Sequence, residues 1–69
     1  MKLFTYKLKV ANPQYDNQSE IIIADVSETK AIEKAEEITN CALSVEEWLG
    51  LKEYDGPCII KNTFSQNKL

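Results

Sequence analysis

Cys41 and Cys58 are the only thiols in this 69-residue chain, and the chain has no histidine. A Ser–His or Cys–His nucleophile pair is therefore impossible. So is a histidine metal site, and two isolated cysteines fall short of the roughly four ligands that zinc takes. All 8 basic residues are lysines, so no arginine fork can clamp a phosphate or carboxylate. The adjacent carboxylates Glu36-Glu37 and Glu46-Glu47 would point about 100° apart on a helix, which does not make an acid–base pair. Asp16, Glu20 and Asp25 lack calcium-loop spacing, and Gly50 and Gly56 are too few for a phosphate-cradling loop. These residues imply a non-enzymatic protein without metal or cofactor.

The chain makes one small domain, residues 1–69, with a thin core. Hydrophobic residues are 43% and charged residues 28%, a globular composition with a net charge of -3. Lysines interrupt the first ten residues, so no signal-peptide stretch is read there. The longest apolar run, Ile21-Ile22-Ile23-Ala24, is far short of a membrane span. A cytoplasmic protein without membrane contact is expected. There the two thiols act as small hydrophobes, whereas a disulfide between them needs an oxidising compartment.

Phe4, Tyr6, Leu8 and Val10 alternate with Leu3, Thr5, Lys7 and Lys9, which predicts a strand over 2–11. A polar loop over 12–18 leads to a second strand over 19–26, rich in isoleucine. Ser27 is suited to cap a helix from Glu28 to about Ala42, with Ala31, Ala35, Ile38 and Ala42 on its apolar stripe. The Lys30–Lys34 and Glu33–Glu37 pairs are like-charged, so packing must hold this helix. Ser44 and Glu47 have capping-box spacing, which predicts a short helix over 45–49 closed by Gly50, with Trp48 covering one end of the core. Asp55-Gly56 predicts a turn joining a short strand over 51–54 to a last strand over 58–63. Residues 63–69 are read as a frayed tail.

The fold class expected is α+β: a two-layer domain, β-β-α-β with one optional short strand, whose antiparallel sheet carries one main helix on one face. With the last strand beside the first, the sheet order is 2-1-3 and the crossover through the helix ends in the last strand. Cys58 and Ile60 then face the helix. The open face carries Leu3, Thr5, Lys7, Lys9, Ile59 and Lys61, joined by Ile21 and Ile23 if Ala24 points inward. An apolar patch among lysines reads as a contact surface, so the candidate partner-binding residues are Lys7, Lys9, Ile21, Ile23, Ile59 and Lys61.

The opening Met1-Lys2 strand, the polar loop, the second strand ending Ala24-Asp25-Val26-Ser27, the helix bearing Ala31 and Ala35, and a final strand after a turn resemble the layout of small phage-encoded anti-CRISPR inhibitors of type I complexes. That resemblance implies a protein that occupies the surface of a host complex, such as a CRISPR effector, without catalysis. Direct nucleic-acid binding is not expected, because eleven acids offset the lysines. The alternatives are a small nucleic-acid-binding module using the lysine-bearing sheet face, and a homodimer joined through open faces or edges.

Overall fold

Alternation in the first ten residues gives β1, Lys2–Val10, which lies inside a four-stranded sheet rather than at its edge. The computed structural model describes residues 1–12 and 19–64, so most of the expected polar loop and the end of the expected tail lie outside the described residues. β2, Glu20–Asp25, pairs antiparallel with β1, placing Tyr6 opposite Ile23 and Leu8 opposite Ile21. Next comes α1, Glu28–Thr39. Ser27 caps it: the Ser27 Oγ accepts the Lys30 N–H at 3.1 Å. The helix ends three residues before the expected boundary because Asn40 turns left-handed at φ 57. Asparagine tolerates that region better than most residues. Just beyond it, the Leu43 N–H donates to Glu36 Oε2 at 2.9 Å, tying the next strand to the helix.

The segment expected to form a short helix is instead β3, Leu43–Glu53, the longest strand. It pairs antiparallel with β1, with register shifts opposite Thr5/Tyr6 and Lys7/Leu8. Each shift inserts one extra residue, Leu49 and Glu46 respectively. Leu43 and Val45 therefore share the helix-facing side with Trp48 and Leu51, and the apolar spacing stretches from two to three. A doubly bulged strand thus carries a spacing close to that of a helix. Gly50 has φ +95, a conformation that L side chains rarely adopt. Its left-handed tolerance serves a bulge here and not a helix cap.

β4, Cys58–Asn62, pairs antiparallel with β2, giving the order β3-β1-β2-β4. The expected 2-1-3 order is corrected: β3 takes the place beside β1, and the last strand goes to the other edge. The crossover therefore runs β2–α1–β3 and passes over β1. Asp55-Gly56 does not close a hairpin either, because β3 and β4 lie at opposite edges. A flat sheet would separate those edges by about 14 Å. Residues 54–57 cover that span with little slack at about 3.3–3.6 Å per residue. The link starts against β1, where the Tyr54 N–H donates to the Met1 carbonyl at 2.9 Å.

The main core lies between α1 and the sheet: Tyr6, Leu8, Ile21, Ile23, Ala31, Ala35, Leu43 and Phe64. Phe64 and Thr63 are held, not frayed: Phe64 is 8% exposed and the Thr63 N–H donates to the Glu20 carbonyl. On the face away from the helix, Leu3, Thr5 and Ala24 are also buried, at the end crossed by the 54–57 link. Bulges in both edge strands bend and twist the sheet, so this face is closed at one end.

Candidate functional site

Cross-strand partners share a face, which assigns each expected contact residue to a side. Ile21 and Ile23 lie opposite Leu8 and Tyr6 and are fully buried under α1. Their placement on the open face is thus corrected: Asp25, not Ala24, shares the helix side, and its charge is met there. Asp25 Oδ1 accepts the Val26 N–H at 2.7 Å, and Oδ2 lies 3.3 Å from Lys34 Nζ, an ion pair without hydrogen-bond geometry. Ile59 lies opposite Ile23, hence also on the helix side, at the β4 edge and 41% exposed. Cys58 lies opposite Ala24 and faces away from the helix. The inversion follows from the bulge at Ile60, which puts Ile59 and Lys61 on different sides.

Lys7, Lys9 and Lys61 stand on the far face, as expected. Two of them are spoken for. Lys7 Nζ lies 3.7 Å from Glu47 Oε1 and 4.0 Å from Glu20 Oε1, and Lys61 Nζ lies 3.3 Å from Glu20 Oε2. The result is a line of alternating charge, Glu47–Lys7–Glu20–Lys61, running across all four strands. Lys9 is exposed beside it. A face whose lysines already meet carboxylates attracts phosphates weakly.

The exposed apolar surface lies elsewhere. α1 starts at the end of β2 and finishes at the start of β3, so it crosses the sheet diagonally and leaves two corners of that face uncovered. Phe64 fills the corner beside β2 and β4. The opposite corner holds Trp48 at 57% exposure and Leu51 at 50%, flanking half-buried Phe4. The expectation that Trp48 caps the core is corrected by its position outside the helix footprint. The available signal was the spacing of Val45, Trp48 and Leu51, which suits a bulged edge strand as well as a helix.

Little else offers chemistry. A shallow cavity of about 260 Å³ is lined by Asp25, Lys30, Glu33, Lys34 and Glu37, all of them charged and four of them on the outside of α1. Among the described residues no group of carboxylates and thiols is arranged to hold a metal ion. Cys41 and Cys58 are both half-buried and unpaired. Cys41 packs on the main core. Burial raises the Tyr6 phenol above its ordinary value of 10.0, and the Glu28 carboxylate raises it further. Among the described residues no helix is long and apolar enough to cross a membrane.

No protein-family model, no curated protein and no solved structure matches the chain.

Proposed function

We propose that this chain is a non-enzymatic interaction protein that binds a protein complex of its host and blocks it, in the manner of the phage-encoded anti-CRISPR inhibitors its layout resembles. One observation carries the reading: a tryptophan and a leucine stand half or more exposed, side by side on one face of a small domain, and among the described residues on that face they are more exposed than Ile59 at 41%. Aromatic side chains in such positions supply much of the energy at protein interfaces. The contact surface is therefore the Phe4–Trp48–Leu51 corner rather than the lysine-bearing face. Nucleic acid is disfavoured by the paired Lys7 and Lys61. Edge-to-edge dimerisation is disfavoured by the bulges in β3 and β4, which interrupt a pairing edge.

The test compares affinity capture by the wild type, Leu51→Ser and Lys9→Glu, each first shown to be folded. Proteins retained by the wild type and Lys9→Glu but lost with Leu51→Ser support the reading. A retained set indifferent to Leu51 and lost with Lys9→Glu overturns it and returns the contact to the far face.

A further inference from the structure

The charged residues are sorted by face, and this bears on what can cover the exposed corner. The exposed positions of α1 carry Glu28, Glu33 and Glu37 against Lys30 and Lys34, and Lys34 is already engaged by Asp25. The far face carries Lys7, Lys9, Lys52 and Lys61 against Glu20 and Glu47, as the cross-strand register requires. Lys2 and Glu53, opposite each other in the ladder and next to Phe4 and Leu51, also fall on the helix side. With Lys2 counted, the side of α1 still carries an excess of acid and the far face an excess of base. The Phe4–Trp48–Leu51 corner lies on the acidic side. Glu28 is the helix carboxylate placed towards it: it opens α1 three residues after Asp25, and Asp25 lies opposite Phe4 in the ladder. Glu53, two residues beyond Leu51, meets the Met1 amino group at 2.7 Å.

We infer that the corner docks against a basic protein surface, in which an apolar pocket bordered by lysine or arginine side chains receives Trp48 and Leu51 while the carboxylates of α1 meet the cations around it. This rests on the corner being the contact surface, as proposed above, and adds the chemistry of the partner. A second copy of this chain is a poor occupant, because a twofold contact through the same corner brings two acidic helix flanks together. A partner with a negative surface meets the same repulsion. A protein surface of the inferred kind is one that also suits polyanions, so binding here would exclude a nucleic acid from it.

Trp48 is the single tryptophan, so its fluorescence reports on the corner directly. The probes are three synthetic amphipathic helical peptides with the same leucine stripe and polar faces of lysine, glutamate or glutamine. The Leu/Lys peptide should blue-shift Trp48 emission as the indole leaves water. Leu51→Ser should weaken that titration about tenfold or more. Combined Glu28→Lys, Glu33→Lys and Glu37→Lys, with the helix checked by circular dichroism, should weaken it and flatten its salt dependence. Equal binding of the Leu/Glu or Leu/Gln peptide overturns the charge assignment and leaves the corner as a contact surface. A blue shift that grows with protein concentration and no peptide makes the occupant a second copy. A shift with a single-stranded oligonucleotide makes it nucleic acid. If no probe shifts Trp48, both the partner chemistry and the corner itself fail.

Discussion

Trp48 stands directly across the β1–β3 ladder from Tyr6, yet Tyr6 is 8% exposed and Trp48 57% exposed. The two rings share one face of one sheet, but Tyr6 stands on an inner strand in the core cluster with Ala31 and Ala35 of α1, and Trp48 stands on a bulged edge strand outside it. Nothing in residue type distinguishes them. The diagonal path of a single helix turns one aromatic into core and the other into surface.

Truncating the two sides of that row should therefore have different costs. Ile23→Ala removes a fully buried side chain and should destabilise by about 2–5 kcal/mol. Trp48→Ala should cost about 1 kcal/mol or less, the usual range for exposed positions. Chemical denaturation of both variants checks this, and a larger loss at Trp48 would place it in the core.

Charge on the buried isoleucines should abolish folding. Ile21→Glu or Ile23→Glu buries an unpaired carboxylate beneath α1, a cost of several kcal/mol against a small domain's modest stability. Far-ultraviolet circular dichroism of each variant should show loss of structure at room temperature. A folded Ile23→Glu would mean the face assignment of β2 is inverted.

The two left-handed positions should respond in opposite directions. Gly50→Ala forces a side chain into φ +95 and should cost about 1–2 kcal/mol, although open space surrounds the position. Asn40→Gly, at φ 57, relieves a mild strain and should be neutral or slightly stabilising. Midpoints of thermal unfolding for both variants give the test.

Thr5 is 1% exposed, and among the described residues its Oγ1 has no hydrogen-bond partner. Replacing the hydroxyl by a methyl in Thr5→Val keeps the branched shape that suits a strand and removes a desolvated polar group. Stability should rise by about 1 kcal/mol. A loss on urea denaturation would reveal a partner for that hydroxyl.

Tyr6 supplies a pH dependence. Burial, then Glu28, raises its folded pKa above the ordinary 10.0. Between the unfolded and folded values the native state holds the proton that the unfolded chain has lost. Stability from this group is thus complete below about pH 10 and falls as pH rises through the folded value. Tyr6→Phe should flatten the alkaline limb of a stability-versus-pH curve, and an unchanged slope would contradict the assignment.

Local pattern alone determined β1, the helix start at Ser27 and the α+β class, because period-two alternation and an N-cap are decided by neighbours within a few residues. It also determined the exclusions: without histidine or arginine, whole classes of site are closed whatever the fold. Which side of β2 faces the helix was a different matter. Ile21, Ile22 and Ile23 fit either face, and the choice fell to register against Tyr6 and Leu8 and to the Asp25–Lys34 pair. Likewise, the Ser44–Glu47 capping-box spacing and Gly50 read as a short helix over 45–49, because the bulges that make this stretch part of a strand exist only relative to a partner strand. Asp55-Gly56 had the chemistry of a tight turn, but strand order made it a link between opposite edges. The exposed corner came last of all. It depends on where a diagonal helix ends and where Phe64 packs, both set by contacts between residues far apart in the chain.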